Sequence, residues 1–552
     1  MVDALDPTDL AVLVTADAVV RHLRAQGSDS GWSLVTSAAG LGVQQAAERE
    51  AARAGHDRAT LPAEEFEELV RLLEVAQHEQ VAATLEALRV HADMDQATLA
   101  GETTVRAART AFVRLYDQGL LERAERVVLH CPRCATVVGD QDVEPVDLEG
   151  ERLTVIATVD DGEDLLVALV EPELLAGVVA ISVPPGHAAG DHTALVPISG
   201  HSVPVLVAPE SVEPAMVVPA HSQSAWEAAR GWGLPPVPVL DDEGVVLAEL
   251  PLHGLSRYAA RAATKELLAA EDALVGVEAA LEHVFRCRRC GTVLVPVLGR
   301  HWFLHIADLE VAAADKMREG VVRFSPPDIR AEVLATAGTS LAPWCVSSRV
   351  VTAPAVPVST CLDCGRDTVD AEATSSCGKC MGTLVAADER MDARLLEAVW
   401  SLSAAGWPLD SSSPGILGAT TSCVVRKEDV SEWLVPIAAL SLRLTGHLPF
   451  CQVTVVPQPP PDTEESGDPL VRRLLLLGGM DDTAAAEAFL RGLDDPPLGN
   501  TDLEALGHAF TLALEEAWPS AALKAMATAM ADGVPPSAGD LLQVLVAPLL
   551  GR

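Results

Sequence analysis

Apolar residues recur at three- and four-residue spacing, with acids between them, over Ala11–Gln26 and Pro62–Val90, which predicts a helical first 130 residues. Ser30–Gly42 is shorter and rich in small residues, and reads as a strand passing into a loop. The texture changes after His130. Between Leu153 and Leu247 short Val- and Leu-rich runs ("LTVIATVDDG", "GVVAISVPPG", "VPVLVAPES", "PPVPVLDDEG") are punctuated by Pro and Gly, the pattern of a β domain. Helical spacing returns over Ala259–Val284, followed by a strand-like run, "GTVLVPVLGRHWFL". Pro457–Asp468, "PQPPPDTEESGD", is proline-rich and then acidic, and reads as a linker. Beyond it the pattern is mostly helical, with loops at 494–500 and 533–539, and no repeat of solenoid period is visible.

Composition narrows the class. A chain of 552 residues suggests three or four domains of about 150 residues. With 49% hydrophobic and 21% charged residues it can build real cores, which excludes a disordered protein. Aromatics are only 3%, so those cores rest on Leu, Val and Ala. The formal charge is −40, with five lysines (Lys265, Lys316, Lys379, Lys427 and Lys524), a field that repels polyanions. DNA is therefore not an expected partner and tRNA is disfavoured. No apolar tract approaches the roughly 20 residues needed to span a bilayer, and no signal peptide is visible. The expectation is a soluble cytoplasmic protein, without membrane contact, whose eleven cysteines are reduced.

Eight of those cysteines form C-x-x-C pairs. Cys361, Cys364, Cys377 and Cys380 follow the C-x-x-C, twelve residues, C-x-x-C spacing of a closed tetrathiolate zinc site, whereas a redox dithiol needs a single pair. Cys131 and Cys134 in "HCPRCATVV", and Cys287 and Cys290 in "FRCRRCGTVL", are each followed by a short apolar strand, and read as two halves of one zinc module around the β-rich insert. Four thiolates leave no open position, so both sites are expected to be structural. Cys345, Cys423 and Cys451 read as buried small hydrophobes.

Paired knuckles around a β insert resemble the class I aminoacyl-tRNA synthetases, and among them the valyl-tRNA synthetase family. "RAQGSDSGWSLVTSAAGLGVQQAAERE", "AFVRLYDQGLLERAERVVLHCPRCATVVGDQDVE", "PAHSQSAWEAARGWGLPPVPVLDDEG", "LAPWCVSSR", "VWSLSAAGWP" and "EWLVPIAALSLRLTGHLPF" follow that family's order. The resemblance implies an α/β fold: a class I, Rossmann-like nucleotide-binding core split by a β-barrel editing-like insert. Its first half would be 1–130, a zinc knuckle 131–150, the editing-like β domain 151–262, the return with the second half-knuckle 263–324, the second core half 325–462, and a short helical region 463–552, similar to a truncated anticodon-binding domain.

Carried over position by position, the chemical residues are replaced. The His-x-Gly-His signature falls on Asp6, Pro7, Thr8 and Asp9, placing acids where ATP phosphates would sit; these residues read as a helix cap. Little chain precedes this point to supply the strand that leads into the signature. The family's Thr-Asp-His-Ala-Gly falls on Thr36, Ser37, Ala38, Ala39 and Gly40, so Ser37 stands where a carboxylate would hold the substrate ammonium. The Lys-Met-Ser-Lys-Ser loop has no counterpart, since no lysine occurs between Lys427 and Lys524. In the insert, the Thr-Thr-Arg-Pro-Glu element falls near Ala157–Asp161, and Pro-Ala-His-Asp becomes Pro219, Ala220, His221 and Ser222. His187, Asp191 and His192 read as an exposed loop, and His301 and His305 as structural. No catalytic residue is assigned. Vestigial substrate-binding positions are Trp32, Thr36, Gly40 and His221; the metal ligands are the eight paired cysteines. Scaffold-type residues (Trp344, Trp400, Gly406, Trp407, Pro408, Trp433) remain. The reading is a noncatalytic paralogue acting as a binding or regulatory scaffold, with two Zn²⁺ and no ATP, and a protein partner or a second copy of itself. The alternatives are an amino-acid-activating enzyme of altered specificity and a tRNA-binding protein without chemistry.

Overall fold

Helices Pro7–Ala25, Leu41–Arg53, Ala63–Ala87 and Glu102–Asp117 open the chain, in line with the spacing read above. The computed structural model describes residues 7–25, 40–56, 61–90, 101–139, 142–160, 164–190, 192–247, 251–338, 343–371, 376–404, 406–408, 422–427, 430–456, 458–463, 469–477 and 482–494. The strand expected at Ser30–Gly42 lies mostly outside these residues; within them Gly40 caps the Leu41–Arg53 helix.

β1 (Leu121–Cys131) turns through the first cysteine pair into β2 (Thr136–Val137). The insert begins with β3 (Val143–Val159) and continues through β4 (Asp164–Leu169), β5 (Ala180–Val183), β6 (Thr193–Leu195), β7 (Ser202–Val207) and β8 (Ala215–Val217). Helices Gln223–Gly231 and Arg257–Ala270 follow, then β9 (Leu274–Cys287) and β10 (Val295–Leu304). Pairings run β4–β8–β5–β7–β6–β3, and β3 pairs with β4 again, so the ladder closes on itself. The period-two alternation of β3 explains the closure: Leu153, Val155, Ala157 and Val159 point into a core shared with Val167, Ile181, Val183, Val203 and Val205.

The helix expected over Ala259–Val284 ends at Ala270. Asp272, with φ 56°, turns the chain, and Leu274–Cys287 is a strand. Its run "LVGVEAALEHVFRC" satisfies both spacings locally. Pairing with β3 from Val143 opposite Cys287 to Val155 opposite Leu274 decides the outcome, because tertiary pairing overrides local preference.

β10 runs antiparallel to β1, from Leu304 opposite Leu121 to Val295 opposite His130. This ladder has two apolar faces. Trp302 and Leu304 face a core with Phe112, Leu115 and Leu121, and Trp302 meets Phe112 edge-on at 5.1 Å. Val295, Val297 and Phe303 face Leu174, Val239, Leu240 and Val246 of the insert. Beyond it, strands Arg323–Ser325, Gln452–Val455 and Ser422–Val425 form a parallel sheet with Gln452–Val455 in the middle. Helix Glu102–Asp117 packs on helix Ala393–Ala404, where small Ala107, Ala108 and Ala111 permit close approach and Thr104 shares a hydrogen bond of 3.1 Å with Ser403. Arg473 in the helix Pro469–Leu476 is fully buried and donates to Asp17 (2.8 Å) and to the Leu88 carbonyl (2.7 Å), fastening that helix to the first ones. Of the helical region expected at 463–552, residues 495–552 lie outside the description. No helix among the described residues is long and apolar enough to cross a membrane.

Candidate functional site

The fold gathers the eight paired cysteines into two clusters of four: Cys131, Cys134, Cys287 and Cys290, and Cys361, Cys364, Cys377 and Cys380. In each, the sulfurs lie within 4.8 Å of one another. All four C-x-x-C turns are built alike. The first cysteine's carbonyl accepts from the amide four residues on: Ala135, Gly291, Gly365 and Met381, at 2.8–2.9 Å. Those four residues all have positive φ (52°, 73°, 67° and 59°), so the chain curls back and both thiols of a pair point one way. The first cluster joins because β3 and β9 pair down to Val143 and Cys287, which brings the two half-knuckles together across 152 intervening residues of sequence. Gln45 Nε2 donates to Cys134 Sγ at 2.9 Å, and Arg289 binds Asp142 at 2.6 Å beside it.

The donor chemistry fits zinc. Sulfur separations of 3.5 Å (Cys131–Cys290), 3.6 Å (Cys134–Cys290), 3.4 Å (Cys361–Cys380) and 3.8 Å (Cys364–Cys377) are too long for disulfides. They approach the roughly 3.8 Å edge of a tetrahedron with Zn–S bonds of about 2.3 Å. Hydrogen bonds from Cys131 and Cys134 hold the Cys287 thiol far below its usual range, while the Cys131 contact pushes Cys134 up, so that all four sulfurs would be thiolates together only around a cation. Such an ion would supply a closed structural staple.

Of the four vestigial substrate positions, Trp32 and Thr36 lie outside the described residues. So do Ser37 and Asp6. Gly40 has φ −92°, an extended conformation open to any residue. His221 is 3% exposed and its ring is fully used: Nδ1–H donates to the Pro296 carbonyl (2.7 Å), and Nε2 accepts from the Val239 and Leu240 amides (2.9 and 3.2 Å). Burial pushes its pKa down to about 4, so the ring is neutral and leaves no nitrogen for a substrate. Ser222 caps the following helix by accepting from the Ala225 amide. The strand register also separates the insert's two motif positions. Thr158 pairs with Asp164 at one end of the β3–β4 hairpin, while Ala215, leading towards His221, pairs with Ala168 near the other.

Asp9, in the first turn of Pro7–Ala25, sits 3.2 Å from Arg426, the residue after the strand Ser422–Val425. His192 bonds Asp160 (2.7 Å), His305 bonds Glu122 (3.1 Å), and His301 contacts Ser347 at 3.4 Å, with its pKa pushed by burial to about 4.

Sequence reading missed two constructions. One is a buried charge network in which fully buried Glu173 accepts from Arg257 (2.8 Å) and Arg261 (2.8 and 2.9 Å), and Arg261 also binds Glu282. The four-residue spacing of Arg257 and Arg261 was its only sequence signal. The other is Arg126, whose guanidinium stacks 5.4 Å from both Trp226 and Phe303 and so ties the insert's helix Gln223–Gly231 to β1 and β10. It leaves no local signature.

Comparison with known proteins places this architecture. Among curated proteins, the valine–tRNA ligase of Treponema denticola is 27% identical over 466 residues, covering 80% of this chain and 51% of its own length. That of Thermotoga maritima is 29% identical, covering 80% and 52%. That of Streptomyces coelicolor is 30% identical, covering 72% and 46%. The chain thus spans about half the length of the curated relatives it matches. A LeuRS of Agrobacterium radiobacter K84, solved as a ternary complex with tRNA and LeuAMS, aligns with 99% of this chain and 82% of its own at 14% identity and a TM-score of 0.48. The family model of tRNA synthetases class I (I, L, M and V) matches residues 12–360, well over half of the sequence, and the chain therefore belongs to that family as a valyl-tRNA synthetase-like member.

Proposed function

We propose that this protein is a noncatalytic relative of the valine–tRNA ligases that serves as a binding or regulatory scaffold. The observation that carries the reading is the Asp9–Arg426 pair at the N-terminal turn of Pro7–Ala25. An ATP-binding signature at that turn needs neutral or cationic donors facing phosphate. Here the turn presents a carboxylate, and Arg426, just after a strand end, binds that carboxylate. Removing one preorganised donor costs roughly 3–4 kcal/mol in a transition state. The sequence also lacks the signature histidines and has no lysine between Lys427 and Lys524. The saturated ring of His221 supports the same conclusion for the insert, whose closed strand ring we read as an editing-type barrel without its editing residues.

Each cysteine cluster holds one structural zinc, and the three parallel strands belong to a Rossmann-like core. The partner is another protein or a second copy of this chain, in the cytoplasm. Calorimetry with ATP, with and without valine, followed by pyrophosphate exchange, tests the reading: neither binding nor exchange is expected. Valine-dependent exchange would overturn it in favour of an amino-acid-activating enzyme.

A further inference from the structure

The two cysteine clusters differ in what covers them. Cys131, Cys134 and Cys287 are part of the main apolar core, half-buried Cys290 packs against it, and Gln45 donates to Cys134. The second cluster stands outside that core. Its knuckles sit on the small sheet of Val358–Cys361, Asp367–Val369 and Leu384–Ala386, and their tips face solvent: Leu362 is 69% and Met381 76% exposed. Within it the thiols alternate, with Cys361 and Cys377 buried and Cys364 and Cys380 exposed. Each exposed thiol has a buried one as neighbour across the knuckles, Cys380 with Cys361 at 3.4 Å and Cys364 with Cys377 at 3.8 Å.

We propose that the second cluster is an oxidative modification site: hydrogen peroxide converts it to two disulfides, Cys361–Cys380 and Cys364–Cys377, and expels its metal, while the first cluster keeps its own. The inference rests on the zinc reading above. An exposed thiolate attacks the peroxide O–O bond, giving a sulfenic acid and hydroxide. The buried neighbouring thiolate then displaces hydroxide from that sulfur and forms the S–S bond. Each pair of thiolates loses two electrons to one peroxide, so two peroxides yield two disulfides, four hydroxides and a free Zn²⁺. The sulfurs close from 3.4 and 3.8 Å to about 2.05 Å, a movement available at solvent-facing tips and opposed in a packed core. The module carrying this site also lines a cavity of about 640 Å³ against Arg123 and His301, where Arg123 binds Asp367 and Glu389 at 3.0 Å each, so oxidation acts on the wall of a ready-made cleft.

The test uses the full chain. Zinc is counted first, the protein is then treated with hydrogen peroxide, and metal release is followed with a chromogenic chelator alongside nonreducing peptide mapping. Two zincs at the start are expected, one of them released at least about tenfold faster than the other. Disulfides should map to Cys361–Cys380 and Cys364–Cys377, and dithiothreitol with zinc should restore the ion. Fewer than two zincs at the start would overturn the zinc reading itself. Two zincs lost together, neither lost, or disulfides among Cys131, Cys134, Cys287 and Cys290 would overturn the modification site alone.

Discussion

Replacing His221 by alanine isolates a buried histidine whose work is structural. In the wild type three backbone groups, the Pro296 carbonyl and the Val239 and Leu240 amides, depend on its ring. His221→Ala leaves them without partners at a site 3% exposed. At about 1–3 kcal/mol per stranded group, and with the two amides sharing one acceptor, the loss should be about 3–5 kcal/mol at pH 7.5. The same ring sets a pH dependence. Its folded pKa of about 4 lies below the ordinary 6.5, so between those values the unfolded chain binds the extra proton. Stability from this group is complete above pH 6.5 and falls as pH drops towards 4, by about 3 kcal/mol in all. Urea denaturation at pH 7.5, 5.5 and 4.5, followed by tryptophan fluorescence (Trp226 and Trp232 lie just after His221), reads both effects. The difference between wild type and variant should shrink on acidification, because only the wild type carries this ring, while His301, with a similarly lowered pKa, is common to both and cancels. A variant within about 1 kcal/mol of wild type at pH 7.5, or two proteins with the same pH slope, would refute the assignment.

Glu173→Ala removes the buried carboxylate shared by Arg257 and Arg261, leaving them Glu171 and Glu282, and should cost about 3 kcal/mol by urea denaturation, with Glu173→Gln milder; equal, small losses would mean that the network is not coupled. Arg473→Ala should cost about 3 kcal/mol, because Asp17 keeps Arg21 at 2.8 Å but loses its buried partner, and a loss under about 1 kcal/mol would remove Arg473 as the fastening of that helix. Removing metal with a strong chelator should lower the melting temperature and re-adding zinc should restore it; an unchanged melt would exclude a structural ion.

The cysteine pairs declared themselves in sequence because thiolate coordination imposes fixed local spacing. The joining of Cys131 and Cys134 with Cys287 and Cys290 was legible only as parallel context. The ladder of β3 and β9 that performs it includes a segment whose alanines read as helix. The alternation of Leu153 to Val159 announced a β domain, but closure of its ladder depends on partners distant in sequence. Contacts such as Arg126 between Trp226 and Phe303, Gln45 on Cys134, and Asp9 with Arg426 join residues with no shared motif, and only the folded chain brings them together.

The ladder of β1 and β10 is a party wall. Its even-numbered side chains at 302 and 304 belong to one core, and its odd-numbered ones at 295, 297 and 303 to the other. Neither room can be emptied without exposing the other's wall, so a protease should release no stable insert, and the two halves should melt in a single transition. The same sharing ties their histories. A substitution accepted in the insert changes the packing of the neighbouring core one sheet-thickness away, so the insert cannot drift alone.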